Sequence, residues 1–142
     1  MQFEHVSPDD FNEILALESS SFNQYDMMNR EDLDWYLDKY GPGFYKILET
    51  GVFAGYILFF IQDGEGYMES IALDRKFRGR GIADLAVEFM ITKMKNENVP
   101  VLKLHVRIEN IAARALYEKH GFILAGTEEG IYADGSPACV YS

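Results

Sequence analysis

The chain has 142 residues, 48% of them hydrophobic and 14% aromatic, which suits one globular domain with its own core and excludes a disordered chain. Cys139 is the only cysteine, so neither an intrachain disulfide nor a cysteine metal cluster is available. A net charge of −10 argues against general nucleic-acid binding. The sequence has neither a leader pattern nor an apolar run of transmembrane length, so the expectations are no membrane and a cytoplasmic compartment, with residues 1–142 as a single domain.

In chain order, Gln2 to Val6 alternates like a short strand. Ser7-Pro8-Asp9-Asp10 is a helix start, with Ser7 as N-cap, proline in the first turn and acids at the positive dipole end. Phe11, Ile14, Leu15 and Leu17 continue it as an apolar stripe to about Ser20. Ser21 to Asn29 reads as a loop. Asn29 caps a second helix, Arg30 to Tyr40, with Leu33, Tyr36 and Leu37 inward, and Gly41-Pro42-Gly43 stops it.

Three strands follow, Phe44–Glu49, Val52–Gln62 and Gly66–Leu73, with tight turns at Thr50-Gly51 and Asp63 to Gly66. The longest apolar stretch, Val52 to Ile61, is broken by Gly55. A helix over about Gly81 to Asn96 repeats Ile82, Leu85/Ala86, Phe89/Met90 and Met94 at core spacing. A strand at Val101–Arg107 leads to Asn110, which caps a helix ending at His120 and Gly121. Strands at about Phe122–Thr127 and Ala138–Tyr141 complete the order β-α-α-β-β-β-α-β-α-β-β.

Charge is unevenly spread. Residues 1–73 hold 3 basic and 14 acidic side chains, residues 74–119 hold 10 and 6, and residues 120–142 hold none and 3. The acidic parts favour a cationic partner such as an amine, or else form a solvated face.

The basic excess surrounds the turn Arg78-Gly79-Arg80-Gly81-Ile82-Ala83. An apolar strand runs into it and a helix begins from it. Unpaired N–H groups and the helix dipole attract an anion there. Gly79 and Gly81 let the backbone approach that anion, and Arg78 and Arg80 add charge-assisted hydrogen bonds. Taken alone, the turn is either a pyrophosphate cradle or an ordinary strand–turn–helix connection with surface arginines. It is neither a Walker loop nor a G-x-G-x-x-G fingerprint.

The turn matches R-x-x-G-x-A, which resembles the acetyl-CoA signature of the GNAT superfamily of N-acetyltransferases. About thirty residues further on, Val101 to Phe122 (VLKLHVRIENIAARALYEKHGF) resembles the same superfamily's next unit. The resemblance implies an α/β fold with a mostly antiparallel mixed sheet, splayed where acetyl-CoA binds, and no metal. It places the pantetheine arm along the backbone of Ile71, Ala72 and Leu73 and the pyrophosphate on residues 78–83. Asn110 falls on a cofactor contact, and Tyr117 on the tyrosine that protonates the departing sulfur. Without the resemblance, Tyr117 also reads as simple packing.

Three residues compete as the base. Side chains 67, 69, 71 and 73 share one face of a regular strand, so Tyr67 and Glu69 both reach toward an acceptor, with His105 on the neighbouring strand. Glu69 resembles the glutamate of some small-molecule acetyltransferases. Tyr67 with His105 resembles one branch of protein N-terminal acetyltransferases, whereas the ribosomal-protein-alanine branch has glutamate at the position of His105. Read from its strand alone, His105 is also an ordinary core residue. At pH 7 an α-amine of pKa about 7.7–8.0 gives up its proton for about 1.2 kcal/mol, and a lysine-like amine of pKa about 10.4 for about 4.6 kcal/mol. A histidine serves the first better.

Gly130 to Gly135 resembles the tyrosine-bearing segment that covers the entering peptide in N-terminal acetyltransferases, which makes Tyr132 an acceptor contact. Glu18 to Phe22 (ESSSF) resembles their first acceptor loop and adds Phe22. The reading is direct acetyl transfer in a ternary complex to a protein or peptide N-terminus. A small amine with Glu69 as base and a non-catalytic acetyl-CoA sensor are its alternatives, and monomer and homodimer are both compatible.

Overall fold

The structure is a computed structural model that describes residues 1–24, 26–129, 131, 132, 134 and 138–141. Among the described residues, seven strands form one sheet: β1 (Gln2–His5), β2 (Phe44–Glu49), β3 (Val52–Gln62), β4 (Glu65–Leu73), β5 (Leu102–Arg107), β6 (Leu124–Glu128) and β7 (Ala138–Tyr141). Four helices accompany them: α1 (Phe11–Ser21), α2 (Arg30–Tyr40), α3 (Ile82–Asn96) and α4 (Ile111–Lys119). The element order is the one expected, in a mixed α/β fold.

Local chemistry sets the helix boundaries. The Ser7 N–H donates to Asp10 Oδ2 at 2.9 Å, and a 3₁₀ turn over Pro8–Asp10 feeds α1. Asn29 and Asp32 exchange reciprocal bonds, each 2.9 Å, at the start of α2, a capping box that satisfies two orphan donors. The two hairpins turn on Thr50-Gly51 and Asp63-Gly64, where both residues of each pair have positive φ, the twist-matched geometry for two-residue loops. Gly66 is therefore within β4 rather than in the turn. The helix α3 buries Ile82, Ala86, Val87, Met90 and Met94, while Leu85 points outward.

The strand order is β1-β2-β3-β4-β5-β7-β6, and every neighbouring pair is antiparallel except β4–β5. That parallel pair holds only Gly66↔Leu102, Tyr67↔Lys103 and Met68↔Leu104. Beyond Met68 the two strands separate, so the sheet is splayed as expected. Helices α1 and α2 cover one face, with Phe11, Ile14, Leu33, Phe44, Tyr56 and Ala72 in the core. The other face buries Ile57, Met68, Met90, Leu104, Tyr117 and Tyr141 against α3 and α4. Gly55 explains the break in the apolar strand: a Cβ there would lie 2.1 Å from the Ala72 carbonyl oxygen of β4.

One expectation about β4 fails. Leu58 pairs with Ser70 and Phe59 with Met68, so Glu69 is the extra residue of a β-bulge, which breaks the alternation. Tyr67 and Glu69 contact the α2 side, through a ring stack on Phe60 and a bond from Tyr36. Ile71 and Leu73 pack instead on the α3 side. Positions 67, 69, 71 and 73 thus do not share a face.

Candidate active site

The gap between β4 and β5 opens into a cavity of about 490 Å³. Met68, Glu69, Ser70 and Ile71 of β4 line one wall, and His105, Val106 and Arg107 of β5 face them. Asn110, Ala113, Leu116 and Tyr117 from the start and body of α4, and Phe22, Asp26, Met28, Ile131 and Tyr132 from two connections, complete the lining.

The edge of β4 is bare where β5 leaves it. The Asp74 N–H donates to the Ala54 carbonyl at 2.8 Å, and antiparallel alternation then turns the Ala72 and Ser70 amides toward β3. The Ile71 and Leu73 backbones face the gap, with Ala72 turned away between them. At the end of the strand, Arg78 Nε donates to the Leu73 carbonyl at 3.1 Å and fixes the turn that follows.

That turn suits a phosphate. Gly79 and Gly81 have φ of +76° and +78°, which side-chain-bearing residues resist. A Cβ on either would meet nothing within 4 Å, so the curled backbone faces open space. Gly81 is the N-cap of the 15-residue α3, whose first N–H groups (Ile82 and Ala83 among them) have no partner within the helix. Arg78 and Arg80 supply charge, with the Arg80 guanidinium 5.5 Å from the Phe77 ring centroid. The residues present fit a pyrophosphate group.

Asn110 Oδ1 accepts from the Ala113 N–H at 3.1 Å and starts α4. The helix ends in a Schellman motif: Gly121 has φ of +92°, its N–H reaches the Glu118 carbonyl, and the Phe122 N–H reaches the Tyr117 carbonyl, both at 3.1 Å. Phe122 packs edge-on against Tyr117, with centroids 5.9 Å apart, so the Gly121-Phe122 pair positions Tyr117 on the cavity wall. Burial holds the Tyr117 phenol well above its ordinary range, which keeps it protonated.

On the opposite side, His105 Nε2 lies 3.2 Å from Glu128 Oε2. With the carboxylate accepting from Nε2–H, Nδ1 carries the free lone pair. Glu69 is exposed at the rim, its Oε1 accepting from the Tyr36 hydroxyl at 2.8 Å; burial first, then Glu69, pushes the Tyr36 phenol up. Tyr67 does not line the cavity: its hydroxyl donates to Glu65 Oε2 at 2.9 Å, and the same carboxylate pairs with Lys103 at 3.0 Å. The structure therefore brings His105, Glu69 and Tyr117 together and leaves Tyr67 outside. Phe22 and Tyr132 both reach the cavity. Gly130, Ala133 and Gly135 of the proposed acceptor segment, with Ser136 and Pro137, lie outside the described residues.

Several cavity features escape the sequence reading. Ser70 Oγ lies 2.8 Å from the Tyr56 hydroxyl, which donates to the fully buried Glu18 carboxylate. Glu18 Oε2 also accepts the Met28 N–H at 2.8 Å, and burial raises its pKa above the usual 4.5 despite both bonds. Arg107 is a second such feature; strand alternation puts it on the face of His105 two residues earlier, the one local signal it offers.

A splayed mixed sheet, a glycine turn that suits a phosphate and titratable groups lining the gap form an arrangement suited to acyl transfer. The sequence profile of the Acetyltransferase (GNAT) family matches residues 9–122, and the chain belongs to that family as an N-acetyltransferase. It is 34% identical over 116 residues to an N-alpha-acetyltransferase of Saccharolobus solfataricus, covering 72% of this chain and 70% of that protein. It is 37% identical over 68 residues to a [Ribosomal protein bS18]-alanine N-acetyltransferase of Salmonella typhimurium, 48% and 46% of the two chains. The fold is shared with Ard1 from Thermoplasma volcanium, with a TM-score of 0.91 and 20% identity over 99% of this chain and 94% of that one. No helix among the described residues is long and apolar enough to cross a membrane.

Proposed function

We propose that the protein acetylates the α-amine of a protein or peptide N-terminus, with acetyl-CoA as donor and no covalent enzyme intermediate. The observation that carries this reading is that His105 and Tyr117 line one cavity with the bare edge of β4. The similarity to an N-alpha-acetyltransferase over most of the chain supports the choice of acceptor.

Acetyl-CoA supplies the thioester that is attacked. Residues 78–83 hold its pyrophosphate, and the backbone of Ile71 and Leu73 aligns the arm beside β4. The Ile71 N–H polarises the thioester carbonyl as negative charge grows on its oxygen. His105, oriented by Glu128, takes the proton from the incoming ammonium, directly or through one water. As the new C–N bond forms and the C–S bond breaks, Tyr117 donates its phenolic proton to the departing sulfur and regains one, through water, from the acylated nitrogen. Phe22 and Tyr132 flank the entering chain.

The test is thiol release from acetyl-CoA with two acceptor pools: short peptides with free N-termini, and a panel of polyamines and aminoglycosides. Turnover on peptides alone is the expected result. Turnover on small amines alone refutes this acceptor and moves the base to Glu69, the rim carboxylate held by Tyr36. Acetyl-CoA binding with silence on both pools favours a sensor.

A further inference from the structure

Arg107 is tied to several groups at the acceptor end, and no step of the proposed reaction uses its charge. Its Nε and Nη2 donate to the two carboxylate oxygens of Asp26 at 2.5 and 2.7 Å. Nη1 donates to Asp134 Oδ2 at 2.9 Å and to Glu109 Oε1 at 3.5 Å. The flat guanidinium also lies 4.2 Å from the centroid of the Tyr132 ring. Asp26 comes from the α1–α2 connection and Tyr132 and Asp134 from the β6–β7 connection, so one side chain ties together two segments from distant parts of the chain.

Three features make this a built clamp rather than a chance surface pair. The Arg107 side chain is only 13% exposed, with Asp26 at 16%. The Asp26 contact is bidentate, the geometry that adds direction as well as attraction. Arg107 is also anchored in the sheet, its backbone paired with Ala138 of β7. Hydrogen bonds to Asp26 and Asp134 hold the guanidinium pKa above its ordinary range against the opposing effect of burial, so the arginine stays charged.

We propose that Arg107 is the positioning residue of the acceptor entrance: it fixes the separation between one lip, which holds Phe22, Asp26 and Met28, and a second, which holds Tyr132 and Asp134, and so sets the slot through which the acceptor chain reaches His105. This rests on the acceptor reading under the proposed function. Without Arg107, Asp26 loses its bidentate partner and Tyr132 loses the guanidinium 4.2 Å from its ring centroid. Lysine keeps the charge but can neither fork onto Asp26 nor stack flat on Tyr132, so it restores little.

The experiment combines hydrogen exchange with steady-state kinetics on wild type, Arg107→Ala, Arg107→Lys and Asp26→Asn. In Arg107→Ala, amides of both lips should exchange at least fivefold faster while β2, β3 and α3 keep their wild-type rates. The peptide KM should rise at least tenfold, with kcat within threefold and acetyl-CoA affinity within twofold. Arg107→Lys should recover less than half of the KM effect, and Asp26→Asn should loosen the first lip and raise peptide KM in the same direction. Faster exchange in one lip only, or in neither, overturns the clamp. Loosened lips with an unchanged peptide KM overturn the positioning role. If wild type does not use peptides, the acceptor reading fails, while the exchange of the two lips still decides the clamp.

Discussion

His105 and Glu128 meet across β7: one lies on β5, the other on β6, and their side chains approach to 3.2 Å at the mouth of the cavity. In the tautomer that donates Nε2–H to this carboxylate, Nδ1 is left to accept a proton. His105→Gln should lower kcat on peptides by roughly 10²-fold, the lower end of what general base catalysis contributes. Glu128→Gln should cost roughly tenfold, about 1.4 kcal/mol, with acetyl-CoA affinity unchanged in both. Wild-type kcat in Glu128→Gln assigns Glu128 to the surface; wild-type kcat in His105→Gln gives the base to Glu69.

Tyr117 carries its own pH signature. Burial moves its phenol above the ordinary 10, so the acid form is present throughout pH 7–10. Tyr117→Phe keeps the ring packed against Phe122 and Tyr141 and removes only the hydroxyl. The variant should lose roughly 10–100-fold in kcat, about 1.4–2.7 kcal/mol, by the same factor at every pH from 7 to 10. A wild-type rate that falls below pH 10, with the fall absent in Tyr117→Phe, contradicts the raised pKa.

What the chain discloses locally and what it conceals divide on a physical line. The caps at Ser7 and Asn29, the glycines of the cradle and the Gly121 stop act through residues two to five apart, and each appears where its sequence signal stands. The β4 bulge is also local, but nothing at Met68-Glu69-Ser70 announces an extra residue. Alternation therefore assigns Ile71 and Leu73 to the wrong face. The Arg107–Asp26 tie spans 81 positions and the Tyr56–Glu18 bond 38. Such contacts depend on how α1, β3 and β5 pack in space. The family motifs lie at the expected cofactor end of the site, whereas the acceptor end is assembled from long-range contacts, so the sequence left Tyr67 standing beside Glu69 and His105 although only the latter two line the cavity.

The cradle makes a prediction with an internal control. Gly81 and Gly64 share a φ of +78°, and a Cβ on either meets nothing within 4 Å. Valine at either position pays the left-handed backbone penalty, about 1–2 kcal/mol, so the two variants should unfold at similar denaturant concentrations. Only Gly81→Val puts its side chain into the space where a phosphate fits. Calorimetry should show at least a tenfold loss of acetyl-CoA affinity in Gly81→Val and none in Gly64→Val. Equal affinity in the two variants removes the cradle from residues 78–83.

Glu18 ties stability to pH in a direction opposite to that of most paired carboxylates. Burial outweighs the bonds from Tyr56 and Met28 and raises its folded pKa above 4.5. A group with a raised folded pKa contributes stability that is fully present below the unfolded value and lost as pH rises through the folded one. Glu18→Gln removes that titration while keeping a side chain of similar size. Urea unfolding from pH 4 to 8 should therefore show wild type losing ground to the variant as pH rises past 4.5, by about 1.4 kcal/mol for each unit that burial adds. Ground gained by wild type over the same range means that the hydrogen bonds from Tyr56 and Met28 outweigh burial, and that the carboxylate is held charged beneath Ser70.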